Sequence, residues 1–174
     1  MALRLLIGGA RAGKSSLAAR LAASSSSPVT LVATAEALDE EMARRIERHR
    51  AERPRDWRTV EEPADLLGAL KGIGDDGTVV LDCLTLWVSN LVLAGLGDEE
   101  IEARAAGAAA YAASRAASTL VVTNEVGMGV HPASDLGRRF RDVLGRVNST
   151  WAGHADEVLL VVAGRALRLE PVDR

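Results

Sequence analysis

The chain alternates short apolar runs with longer amphipathic or alanine-rich stretches. Residues 3–7 are apolar and close on Gly8-Gly9, which predicts a buried strand entering a turn. Residues 15–23 have helix-forming composition, and serines 24–27 with Pro28 make a polar break. Residues 29–33 read as a second strand. Asp39 reads as a helix cap, with Glu40 and Glu41 in the first turn. In that helix Met42, Ile46 and His49 share a face, and Pro54 ends it. Residues 63–70 predict another helix, closed by Gly72 and Gly74, and 78–81 a third strand ending at Asp82. Residues 84–93 predict an apolar helix, and 98–117 an alanine-rich one capped by Asp98. Residues 120–123 predict a fourth strand, and Ser134 or Asp135 caps a helix reaching Trp151. Residues 158–163 give a fifth strand and 166–169 a last short one.

Strands alternating with helices predict an α/β fold, a mostly parallel sheet covered on both faces. At 174 residues the chain is expected to form one domain, 1–174, and it has no internal repeat.

Composition narrows the function. Twenty-one basic residues against 24 acidic ones, with 3% aromatics, do not suit a nucleic-acid coat or a base-stacking platform. The one cysteine, Cys83, excludes an intrachain disulfide and a multi-cysteine metal site. Histidines 49, 131 and 154 form no H-E-x-x-H pattern; His131 reads as a loop residue before Pro132, and His154 as a surface turn residue. No apolar run is long enough for a membrane span and no signal peptide is apparent, so the expected compartment is the cytoplasm. Arginine outnumbers lysine 19 to 2, and one of the two lysines is Lys14.

Lys14 lies in Gly8-Gly9-Ala10-Arg11-Ala12-Gly13-Lys14-Ser15, which satisfies G-x-x-x-x-G-K-[ST] between a strand and a helix. Glycines let the backbone curl so that successive N–H groups face phosphate oxygens, and the helix start adds its positive dipole end. In this pattern Lys14 supplies a point charge to the β and γ phosphates, and the Ser15 hydroxyl can ligate Mg²⁺. The bland reading is a chance match in a glycine-rich turn. A metal-orienting carboxylate is expected at the end of a neighbouring strand, where Asp82 and Glu125 are both available; Asp82 is preferred. Either could equally be a helix cap or a solvated loop residue.

Arginines 44, 45, 48, 50, 53, 55 and 58 surround His49. The ordinary reading is a solvated helix face, with Glu47 and Glu52 as partners and His49 packed inward. The functional reading is a neutral imidazole that attacks phosphorus to give a phosphoramidate. Neighbouring guanidiniums disfavour imidazolium and stabilise a phosphate leaving group.

The strings GGARAGKS, LVATAEALDEEMARRIERHRAERPRDWRTVEEP, VVLDCLTLWVSNL, VVTNEVGMGVHP, LGRRFRDVLGRVN and ADEVLLVVAG, in this order, resemble the bifunctional adenosylcobinamide kinase and adenosylcobinamide-phosphate guanylyltransferase family of cobalamin biosynthesis. The resemblance covers nearly the whole chain. It implies a RecA-like P-loop NTPase fold, a tendency to form homotrimers, and Mg²⁺ with GTP or ATP. It implies phosphorylation of adenosylcobinamide, then a guanylylated enzyme formed from GTP with release of pyrophosphate, then GMP transfer to adenosylcobinamide phosphate, giving adenosylcobinamide-GDP. The guanylylated histidine aligns with His49. Nucleotide contacts align with Gly8 to Ser15, with Ala33, Thr34 and Ala35, with Arg50, Ala51, Glu52 and Arg53, and with Glu61 and Asp82; Ser15 and Asp82 are the metal residues. Ala12 stands where the family usually has serine, Ala35 where it has a small polar residue, and Asp82 where many members have glutamate.

Two other readings share these features. A plain P-loop small-molecule kinase has everything except a reactive His49. A nucleotide-dependent switch lacks support, because lysines 14 and 71 leave no Asn-Lys-x-Asp guanine-reading motif.

Overall fold

The computed structural model describes residues 3–25, 27–37, 40–51, 54, 56–75 and 77–172, with backbone alone at Met42, Arg45 and His49. Among these, the strands are β1 (Leu3–Gly8), β2 (Val29–Ala33), β3 (Arg58–Glu61), β4 (Thr78–Asp82), β5 (Thr119–Asn124), β6 (Glu157–Val162) and β7 (Arg165–Leu169). The helices are α1 (Lys14–Ala23), α2 (Glu40–Ala51), α3 (Leu66–Ile73), α4 (Leu84–Leu93), α5 (Asp98–Ser114) and α6 (Asp135–His154). The strands form one sheet in the order β3-β2-β4-β5-β1-β6-β7, parallel except for β7. The expected α/β architecture, a mostly parallel sheet with helices on both faces, is therefore present.

Strand alternation divides the core into two layers. Leu6, Val29, Leu31, Val80, Leu120 and Val122 face α1, meeting Ala18 and Ala22. Leu3, Leu5, Val32, Val79, Leu81 and Val121 face the other way, against α3 to α6. That second layer is the larger and holds both fully buried tryptophans, Trp87 and Trp151. Alanines Ala105, Ala108, Ala109 and Ala112 of α5 are buried, so the small side chains let α5 lie close to its neighbours.

Several elements differ from the sequence reading. β3 was not expected: its RTVE sequence is charged and exposed, and it is held as a parallel edge strand by pairing with β2. α3 starts at Leu66, not at residue 63, because Asp65 caps it by accepting from the Gly68 N–H at 2.9 Å. Gly97, not Asp98, occupies the N-cap of α5; the Asp98 carboxylate instead bonds Arg139 and Arg146 of α6. α5 stops at Ser114, where Arg115 turns extended and sends its buried guanidinium to the carbonyls of Gly74 and Gly77. Ser134 caps α6, which runs past Trp151 to His154, so His154 ends a helix and bonds the Thr150 carbonyl. Ala163 is not in β6 but in the two-residue turn Ala163-Gly164, where both φ angles are positive, as a type I′ hairpin requires. The expected Asp39 cap lies outside the described residues.

Candidate active site

Parallel pairing lines up the carboxyl ends of five strands along one rim. Ala33 is level with Glu61 on one side and Asp82 on the other. Asp82 is level with Val122, and Gly8 with Asn124. Strand order opens a crevice at this rim. The chain leaves β1 through α1 on one face of the sheet towards β2, and leaves the adjacent β5 through α6 on the other face towards β6. Two neighbouring strands whose exits diverge open a cleft between their loops, here residues 8–15 and 124–134.

The loop after β1 is shaped by its own sequence. Gly8 is pressed against β6, and a Cβ there would lie 2.2 Å from the Val161 carbonyl oxygen. Arg11 has φ 58° and Gly13 has φ 100°, so the backbone reverses twice before α1 begins. The hairpin turn supports the loop from behind: the Gly164 N–H donates to the Ala12 carbonyl at 2.9 Å. Lys14 is 6% exposed, and its Nζ donates to the carbonyls of Gly8 at 3.0 Å and Gly9 at 2.7 Å. Gly9, Ala10 and Arg11 are exposed, Ala12, Gly13 and Ser15 half-buried. Ser15 opens the second position of α1, where unpaired helix N–H groups and the dipole attract anions.

The half-buried Asp82 stands at the end of β4. In β4, Val79 and Leu81 face α3 to α6 and Val80 faces α1, so alternation turns Asp82 to the α1 side, the side of Ser15. Glu125 goes elsewhere. Its carboxylate accepts from the Gly127 N–H at 2.5 Å, and its own N–H donates to the Gly8 carbonyl at 3.1 Å, so it shapes its loop and ties it to the glycine loop. The end of β5 is braced by a buried chain of bonds from Thr123 to Asn148 and from the Asn124 N–H to Thr85.

Ala33, Thr34 and Ala35 lie at and just beyond the end of β2. Thr34 is fully buried: its N–H donates to the Asp82 carbonyl, its hydroxyl donates to the Cys83 carbonyl at 2.7 Å and accepts from the Cys83 N–H at 2.9 Å. Cys83 is half-buried, and desolvation of its thiol, with the Asp82 charge adding to it, pushes the thiol up to about 11. It is a neutral thiol near pH 7.

α2 carries His49 on its last turn, with Arg50 and Ala51 exposed at its end. The Arg50 guanidinium pairs with Glu61 of β3, joining two of the expected contact residues. The arginine run is thus in part a solvated face, as its pairing of Arg44 with Glu40 also shows; the expected partner Glu52 lies outside the described residues, as does Arg53. His131 is an exposed loop residue, 2.5 Å from Arg141. Sequence reasoning passed over Asn90, which lies within the apolar α4 and binds the backbone at two of these strand ends. A lone amide in an apolar helix is the signal that marks it.

Among the described residues no three His, Cys, Asp or Glu side chains cluster to hold a metal. Ser15 and Asp82 provide one hydroxyl and one carboxylate, the sparse oxygen set that magnesium uses when phosphates complete its shell. No helix among the described residues is long and apolar enough to cross a membrane.

The family model described as cobinamide kinase / cobinamide phosphate guanyltransferase matches residues 4–169. The bifunctional adenosylcobalamin biosynthesis protein CobP of Pseudomonas aeruginosa is 41% identical over 167 residues, covering 95% of this chain and 96% of that protein. The bifunctional adenosylcobalamin biosynthesis protein CobU of Escherichia coli K12 is 41% identical over 179 residues, covering 95% and 98%. Its namesake in Salmonella typhimurium LT2 is also 41% identical, over 185 residues, with the same shares. Among solved structures, an ATPase from the type III secretion system of pathogenic bacteria superposes with a TM-score of 0.58 at 12% identity, over 91% of this chain and 50% of that one. That last likeness is one of fold alone.

Proposed function

This chain belongs to the cobinamide kinase / cobinamide phosphate guanyltransferase family and is an enzyme of cobalamin biosynthesis, and from that premise we propose that it catalyses both steps in turn. The first is phosphorylation of adenosylcobinamide by ATP or GTP. The second is transfer of GMP from GTP, through a guanylyl-histidine, to adenosylcobinamide phosphate. The observation that carries the reading is the glycine loop with Lys14 folded over it, set in the crevice where the strand exits diverge.

In the kinase step the alcohol oxygen bonds the γ phosphorus, the bridge to the β phosphate breaks, and the hydroxyl proton is released. Little covalent help is needed; positioning and charge neutralisation do most of the work. Lys14 and the N–H groups of Gly8 to Ser15 hold the phosphates. Ser15 and Asp82 would hold a magnesium ion together with the phosphates, and that ion would supply further neutralisation of their charge.

In the guanylyl step an imidazole nitrogen of His49 bonds the α phosphorus and pyrophosphate leaves. A phosphate oxygen of adenosylcobinamide phosphate then bonds the same phosphorus and the P–N bond breaks, giving adenosylcobinamide-GDP and free His49. Ala33, Thr34, Ala35, Glu61 and the segment Arg50, Ala51, Glu52 and Arg53 contact the nucleotide in this reading. Because α2 arises from a different strand end than the glycine loop, the segment bearing His49 moves towards the bound nucleotide before it reacts.

Incubation with α-labelled GTP, followed by denaturation, is expected to leave acid-labile label on the chain. His49→Ala abolishes that label while kinase turnover with adenosylcobinamide persists. Equal labelling of variant and wild type would reject His49 as the nucleophile; no label on either would leave the plain kinase.

A further inference from the structure

The segment that carries His49 is an excursion from the sheet. It leaves after Thr34 at the end of β2, runs through α2, returns as β3 and ends at Pro63. Asn90 of α4 touches both of its necks. The two protons of its side-chain amide go to two different carbonyls, Thr34 at 2.8 Å and Pro63 at 3.1 Å. One turn earlier on the same helix, the Trp87 Nε1–H donates to the Ala64 carbonyl at 2.8 Å. Between the necks, the Glu62 N–H donates to the Ala33 carbonyl at 2.9 Å. Beyond this seam, α2 is tied to β3 through the exposed Arg50–Glu61 pair. Among the described residues, Asn90 is the side chain hydrogen-bonded to both necks at once.

We propose that Asn90 is a positioning residue for guanylyl transfer: by clamping both ends of the 35–62 excursion it fixes the arc along which α2 carries His49 to the α phosphorus. The inference rests on the reading of His49 as the guanylylated residue. Asn90 touches neither nucleotide nor His49 in this role; it acts through the backbone of Thr34 and Pro63. A reacting atom displaced by about 1 Å costs as much as a hundredfold in rate. Loosening the necks therefore slows the His49 step far more than phosphoryl transfer at the glycine loop, which is anchored separately by β1, β6 and the Gly164 turn.

Asn90→Asp keeps the shape and replaces the donating amide with a carboxylate that opposes both carbonyls; Asn90→Leu removes donors and acceptor alike. In each, the rate of label transfer from saturating α-labelled GTP to the protein is expected to fall about tenfold or more. The fall lies in the saturating rate, not in the KM for GTP, and kinase kcat stays within about twofold. Asn90→Ser, which is smaller and keeps one hydroxyl donor, gives an intermediate rate and serves where the other two do not fold. A thermal melt on each variant confirms folded protein. Labelling of folded variants at the wild-type rate overturns the role of Asn90 and leaves His49 standing. Equal loss of labelling and kinase turnover also overturns it, since a merely structural residue would act that way. Absence of label on the wild type overturns this inference and the guanylyl-histidine reading together.

Discussion

Lys14 shows how a single residue is legible in sequence and then constrained by structure. In a chain with 19 arginines and two lysines, a lysine between glycine and serine stands out. Its placement follows from chemistry: a compact ammonium on a flexible stem can fold back to the Gly8 and Gly9 carbonyls, and a planar guanidinium cannot replace it there. Lys14→Ala is expected to lower kinase kcat on the order of a hundredfold or more, measured as adenosylcobinamide-dependent nucleoside diphosphate release, and Lys14→Arg does not restore it. Asp82 was legible as a strand-end acid, and alternation along β4 shows which side it takes. Glu125 shows the opposite. It matched the same pattern, but a neighbouring N–H captured its carboxylate, a local competition invisible to spacing alone. Asn90 was visible in sequence as a polar residue in an apolar helix, but its partners were not, because both are main-chain carbonyls far away in sequence.

At the scale of elements, long and strongly patterned segments were readable and short charged ones were not. α1, α4 and α6 and strands β1, β2, β4 and β5 fall where apolar runs and caps put them. β3 has almost no apolar signal, and its existence depends on the free edge of β2. The Asp98 cap failed for an instructive reason. Helix starts favour Asp at the cap, but here the same carboxylate is more useful one position on, where it joins α5 to Arg139 and Arg146 of α6. The Arg139 hydrogen bond, aided by both guanidinium charges, holds the Asp98 carboxyl below its ordinary value. The folded state therefore binds its proton less readily than the unfolded chain. The resulting stability is complete above about pH 4 and is lost as acid protonates the folded carboxyl. Asp98→Asn should lower Tm at pH 7 by no more than about 3 °C, since the group is partly exposed. Variant and wild-type melting curves should converge in strong acid, which calorimetry across pH checks.

For the whole molecule, the fold class followed from alternating strands and helices, but strand order did not: nothing local says that β1 sits between β5 and β6. That order creates the crevice, so candidate residues were nameable in sequence while the order that lines up their strand ends was not. The far edge of the sheet is unlike the rest. β7 is exposed along its length, with Leu167 at 63% and neighbouring Val162 at 59%, an apolar surface in keeping with the homotrimer that the family resemblance suggests. Sedimentation velocity is expected to give a mass about three times the 18.3 kDa chain, and Leu167→Glu to shift it towards one. The β1 pairings carry a consequence for synthesis. Leu3 must find Thr119, and Ala12 must wait for Gly164, so a ribosome has to pass Gly164 before the glycine loop made so much earlier can be held in shape. Until then the nascent glycine loop lacks the scaffold that shapes it.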